Sequence, residues 1–131
     1  MNKQIKLISK SIFRSDVQEE VFFGSGKVEE KDSVLEISFK NEELVFMILA
    51  TQAKTRLIYE KPYPNEFEFI LNETTDINYQ SIYGTMALMI DTKEIKRLED
   101  RVILRYNLLQ VKQIVSQQEI EIIFEGGGYN G

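Results

Sequence analysis

Leu35-Glu36-Ile37-Ser38-Phe39-Lys40 alternates apolar and polar side chains at every step. A period of two is the mark of a strand with one dry and one wet face. The same alternation recurs outward along the chain. Phe67, Phe69 and Leu71 are interleaved with Glu66 and Glu68; Ile120, Ile122 and Phe124 alternate with Glu119, Glu121 and Glu125. Val102, Leu104, Tyr106 and Leu108 repeat the pattern against Arg105 and Asn107, and Met86, Leu88 and Ile90 do so against Thr85, Ala87 and Asp91, with Met89 out of phase. Leu44 to Leu49 is apolar on both parities, which predicts a strand covered on both sides, with a short helix as the alternative. Ile5 to Phe13 changes phase between Leu7 and Ile8, as a bulge or strand bend would make it do.

Polar turn signals separate these runs: Lys31-Asp32-Ser33, Asn41-Glu42, Pro62 to Asn65, Glu73 to Asn78, and Glu99-Asp100. Short alternating strands joined in this way predict a single all-β domain over 1–125, an antiparallel sandwich or barrel, with an antiparallel β-barrel of about eight strands as the expectation. Helical turns are expected only near Thr75 to Gln80 and Glu94 to Leu98. Gly24, Gly26 and Gly84 fall where glycine serves a bulge or barrel corner. The glycine-rich stretch 126–131 is expected to be a flexible tail.

Composition narrows the chemistry. The 131 residues, 43% hydrophobic and 28% charged, suit one globular domain with a core. There is no Cys and no His, which removes thiolate metal sites, cysteine nucleophiles and the commonest general base. A net charge of -5 repels a phosphate backbone, so no nucleic-acid partner is expected. The basic cluster Lys93, Lys96 and Arg97 is interrupted by Glu94 and reads as a solvated face. The first ten residues lack the apolar core of a signal peptide, and no run approaches the roughly eighteen apolar residues of a membrane span. A cytoplasmic protein with no membrane partner is the expectation.

Gly24-Ser25-Gly26-Lys27 resembles a phosphate loop in composition only: Val21 stands where the first glycine belongs, Val28 follows the lysine, and no helical period comes after. A β-bulge is the simpler assignment. Glu66 with Glu68, and Glu119 with Glu121, share a strand face, but they alternate with large apolar residues and therefore belong to the solvent side. Arg56 and Arg105 are expected to point outward with them. No catalytic motif, metal site or cofactor is indicated, and the protein is expected not to be an enzyme. Among the aromatic residues, Tyr79, Tyr83 and Tyr106 are the side chains suited to aim a phenol into a mostly apolar cavity, with backbone-bonded core tyrosines as the plainer alternative.

The stretch Tyr79-x-x-x-Tyr83-Gly84-x-Met86-x-Leu88, then Thr92-Lys93-Glu94-Ile95, Val102 to Leu108 and Ile120-Glu121-Ile122 resembles the YwiB-like family of Gram-positive bacteria, a domain of unknown function. Gly26-Lys27-Val28 and Val34 to Phe39 match its early strands more weakly. The resemblance implies a calycin or lipocalin-like β-barrel and carries no ligand or activity with it. Barrels of this size enclose packed side chains or one small ligand. The expected function is therefore a non-enzymatic binder of a small apolar or amphipathic molecule. Its lumen would be lined by Phe39, Phe69, Met86, Leu88, Leu104 and Tyr106, with Tyr79, Tyr83 and Tyr106 orienting the ligand. The alternative is a filled barrel acting as a protein-interaction or homo-oligomeric module, such as a homodimer paired through an open edge near Ile5 to Phe13.

Overall fold

The computed structural model describes residues 2–51, 53–111 and 113–124. Among them are ten antiparallel strands: β1 (Asn2–Phe13), β2 (Asp16–Lys31), β3 (Val34–Lys40), β4 (Val45–Ala50), β5 (Lys54–Lys61), β6 (Asn65–Ile70), β7 (Thr74–Ser81), β8 (Gly84–Arg97), β9 (Arg101–Gln110) and β10 (Gln113–Phe124). They form one sheet in the order β6-β5-β4-β3-β2-β1-β10-β9-β8-β7. Chain neighbours therefore pair everywhere except between β6 and β7, the two ends of the sheet, and β1 against β10 joins the two halves. The stretch 126–131 lies outside the described residues. Among the described residues no helix is long and apolar enough to cross a membrane.

The sheet curls until its two end strands meet. No backbone ladder joins β6 to β7; side chains take its place. The Asn65 amide donates to the Gln80 carbonyl at 3.0 Å and accepts from the Gln80 N–H at 2.8 Å, while the Thr75 hydroxyl donates to the Glu68 carbonyl at 2.5 Å. The result is a nearly closed barrel with a stapled seam. Rings cross the seam as well: Phe39, Phe46, Tyr59, Phe67 and Tyr79 form a continuous arc with centroids 5.0 to 6.2 Å apart.

Curvature comes from specific residues. Gly24 and Gly26 sit in β2 where β1, β2 and β3 press together, and a Cβ on Gly26 would lie 1.8 Å from the Ser38 carbonyl oxygen. The pairing of β2 with β1 runs through both glycines, and its pairing with β3 through Gly26, without a shift. The bulge expected there is thus replaced by a close approach of backbones. Register shifts occur instead between Val45 and Phe46, Thr92 and Glu94, and Ile114 and Ser116. Nor is there a shift between Leu7 and Ile8, where β1 pairs evenly on both sides.

The interior is built from the alternating sets. Leu35, Ile37 and Phe39, together with Phe46, Ile48, Leu57, Phe69, Ile90, Leu104 and Ile122, are buried. Leu44 to Leu49 is not covered on both sides: Phe46 and Ile48 are buried, whereas Met47 is exposed on the outside. The segments expected as helical turns, 75–80 and 94–98, lie in or run off the ends of β7 and β8. The outer face carries the charges. Arg105 bridges Glu94 at 2.5 Å and Glu119 at 3.0 Å, Arg101 bonds Glu121 at 2.5 Å, Lys54 pairs Glu68 at 3.1 Å, and Arg56 pairs Glu66. The glutamate pairs and both arginines therefore face solvent as their parity indicated.

Candidate functional site

Along the barrel axis the inward-facing side chains change character. Toward one end they are close-packed hydrocarbon, with Ile37, Ile48, Leu57, Phe69, Ile90, Leu104 and Ile122 at zero exposure. Toward the other end β1 turns from Ile5 and Leu7 to Ser9 and Ser11, and β10 from Phe124, Ile122 and Ile120 to Gln118 and Ser116. The Gln118 amide donates to the Ser11 hydroxyl at 2.9 Å and to the Ser116 hydroxyl at 2.7 Å, which ties these three side chains of the polar collar together. The lumen is thus filled through one half and opens into a cavity of about 300 Å³ at the other.

This cavity is framed by rings. Tyr59 of β5, Tyr63 of the β5–β6 loop, Phe67 of β6, Tyr79 of β7 and Tyr106 of β9 stand around it, with Leu88 and Ile120 supplying aliphatic wall. Tyr106 is buried and leans against Phe69 at 4.8 Å between centroids. Among the described residues the phenols of Tyr59, Tyr79 and Tyr106 make no hydrogen bond to the protein. Burial raises the pKa of Tyr59 above the ordinary tyrosine range, and the neighbouring Tyr79 adds to the shift. Tyr106 is raised in the same direction by burial first, then by Tyr59 and Tyr79. Both phenols are held protonated, as hydrogen-bond donors facing into a largely apolar space.

The sequence-derived site residues fall into three groups. Tyr106, Tyr79 and Leu88 line the cavity. Phe39, Phe69 and Leu104 lie in the filled part of the lumen, at or below 2% exposure. Met86 and Tyr83 lie toward the tip of the β7–β8 hairpin, where Tyr83 is 92% exposed, and neither lines the cavity. Sequence reasoning missed Tyr59, Tyr63 and Phe67 as site residues. Tyr59 shares parity with Thr55 and Leu57 in Thr55-Arg56-Leu57-Ile58-Tyr59, so alternation alone would have placed it inside.

A second concavity, about 530 Å³, lies across β2 to β5 and is lined largely by outward-facing side chains, among them Lys27, Lys40, Met47 and Glu60. It is an external groove of mixed character, in which Val45, Met47 and Ile58 stand beside the charged side chains, outside the closed part of the lumen. Lys93, Lys96 and Arg97 are each paired, with Asp91 at 2.9 Å, Glu94 at 3.3 Å and Glu30 at 2.9 Å respectively. Among the described residues no three His, Cys, Asp or Glu side chains are grouped to hold a metal ion.

Comparison with known proteins agrees with the architecture. The family model described as Domain of unknown function (DUF1934) matches residues 5–122. The chain belongs to this family. A solved structure, the crystal structure of ywiB protein from Bacillus subtilis, is similar in fold, with a TM-score of 0.71 at 16% identity, covering 95% of this chain and 93% of that one. At that identity the likeness establishes the barrel alone. No curated protein matches the chain.

Proposed function

We propose that this member of the family is a non-enzymatic, cytoplasmic binding barrel that takes a small apolar or amphipathic molecule into the ring-lined end of its lumen. One observation carries the proposal: the barrel is packed solid through half its length and then opens into a cavity of about 300 Å³, walled by aromatic and aliphatic side chains with a few convergent hydroxyls. That combination is the usual make-up of a small-molecule site. A chain that needed its interior only for stability would have closed this space with another layer of Leu or Phe. The remaining half of the lumen supplies a rigid floor.

The test is native mass spectrometry of the purified protein together with titration of lipophilic fluorescent probes. Binding that is lost on Leu88→Trp, which fills the cavity, supports the assignment; absence of any bound or bindable molecule refutes it.

The interaction-module reading changes its location. The expected open edge, Ile5 to Phe13, is paired on both sides from Ile5 to Ile12. A one-sided edge with exposed apolar side chains is instead β2 from Asp16 to Gly24, which pairs only with β1 and exposes Val17, Val21 and Phe23. Asp16, Glu19 and Glu20 along it oppose pairing with a second copy. A concentration-dependent dimer by size exclusion would favour that reading over the lumenal one.

A further inference from the structure

Resting on the binding assignment above, we infer that the cavity selects an uncharged ring compound that presents a hydrogen-bond acceptor, such as a carbonyl oxygen, to the phenols of Tyr59 and Tyr106, and that it rejects the corresponding carboxylate.

Three observations converge. The first is charge. More than a quarter of the chain is Asp, Glu, Lys or Arg, yet none of them lines this cavity. An anionic or cationic head group placed inside would lose its hydration and meet no opposite charge, which is more costly than burying a neutral dipole. The second is ring content. Tyr59, Pro62, Tyr63, Phe67, Tyr79 and Tyr106 surround the space, and flat π faces reward a flat guest through offset and edge-to-face contacts that a flexible alkyl chain does not make. The third is the polarity of what is left unpaired. The Asn65 amide is committed to the Gln80 backbone across the seam, and the Gln118 amide nitrogen to Ser11 and Ser116. The phenols of Tyr59 and Tyr106 carry no such commitment among the described residues. Burial blocks their ionisation, so both retain an O–H to give, and a guest with an acceptor oxygen satisfies them where a hydrocarbon leaves them bare.

The size agrees with this class. A cavity of about 300 Å³ stands at the small end of the range for ligand pockets, suited to a fused two-ring molecule rather than a long-chain lipid.

The experiment compares four probes on the full chain by calorimetry: 2-acetylnaphthalene, its ring alone as naphthalene, 2-naphthoate and decanol. The ketone should bind at least about tenfold more tightly than each of the other three. The double variant Tyr59→Phe/Tyr106→Phe should lose about tenfold for the ketone and nothing for naphthalene, a difference that a general loss of packing would not produce. Each single Tyr→Phe variant should show part of that loss if the double variant folds poorly. If 2-naphthoate or decanol binds as tightly as the ketone, the ligand class is wrong while the cavity reading stands. If no probe and no co-purified molecule binds, both fail together.

Discussion

Replacing Gly26 by alanine should be the most damaging small substitution in the barrel. The added Cβ would lie 1.8 Å from the Ser38 carbonyl oxygen, 2.9 Å from its carbonyl carbon and 2.7 Å from Ile5 Cδ1. A side-chain end can turn away, but a backbone carbonyl held in the β2–β3 ladder cannot. The strands must separate by roughly an ångström or more, loosening the Gly26↔Phe39 and Lys27↔Ser38 pairs. Overpacking of this kind costs about 1–3 kcal/mol, and weakened ladder bonds add about 1 kcal/mol each. A loss of about 3 kcal/mol or more follows, which for a chain of this length lowers Tm by about 11 °C. Gly24→Ala meets the Phe39 ring at 2.7 Å and the Lys40 carbonyl oxygen at 3.0 Å and should lose about 2 kcal/mol. Gly84→Ala is the control: its φ of 102° is strained for alanine, yet nothing lies within 4 Å, so backbone strain of about 1–2 kcal/mol is the whole effect. Thermal and urea unfolding followed by circular dichroism gives the order. A Gly26→Ala protein melting within about 2 °C of the parent, or above Gly84→Ala, refutes the close-approach account; should Gly26→Ala fail to fold, Gly24→Ala against Gly84→Ala decides.

The raised pKa values of Tyr59 and Tyr106 imply alkaline instability. Below about pH 10 both phenols are protonated folded or unfolded and contribute no pH dependence. Above it the unfolded chain loses protons that the folded one keeps, so stability falls by about 1.4 kcal/mol per pH unit per tyrosine. Tyrosinate absorbance at pH 11 should be the same in the parent and in Tyr59→Phe/Tyr106→Phe while both remain folded, and the parent's stability should fall more steeply with pH; equal slopes would contradict this. The hydroxyls of Thr55 and Thr92 are fully buried and unpartnered among the described residues. Thr55→Val and Thr92→Val should therefore be neutral or stabilising by up to about 1–2 kcal/mol in urea unfolding, and a loss beyond about 1 kcal/mol in either would mean that its hydroxyl does have a partner.

How much of the barrel alternation discloses depends on whether a strand has one buried face. β3, β6, β9 and the second half of β10 do, and Leu35-Ile37-Phe39 or Val102-Leu104-Tyr106 can be read directly as wall. The first half of β2 has no such face: Asp16 to Val21 is exposed at every position, so no hydrophobic period marks it. β7 buries only Ile77, which makes its polar stretch look like a turn. In β8 the shift between Thr92 and Glu94 moves the inward set from Ile90 and Thr92 to Ile95 and Arg97. The resulting three-residue step from Thr92 to Ile95 imitates helical spacing. Each misassignment follows from sheet irregularity or from a strand too exposed to need apolar residues.

The candidate site was half visible for a related reason. Parity alone places Tyr106, Tyr79 and Leu88 inside, but it says nothing of depth along the axis, so Phe39, Phe69 and Leu104 looked like the same lining although they belong to the packed floor. Tyr83 failed because it occupies the two-residue turn between Ser81 and Gly84, where alternation has ended. The apparent phase change in β1 has a different origin from a bulge. Ile5, Leu7, Ser9 and Ser11 continue inward without interruption, opposite Phe124, Ile122, Ile120 and Gln118; only their chemistry changes, while Ile8 and Ile12 sit at the outward parity. What looks like a break in the hydrophobic pattern is the point along the strand where the packed interior gives way to the mouth. Serines in the inward register are therefore the earliest trace of the cavity in the sequence, readable once the antiparallel pairing with β10 sets Gln118 against Ser11.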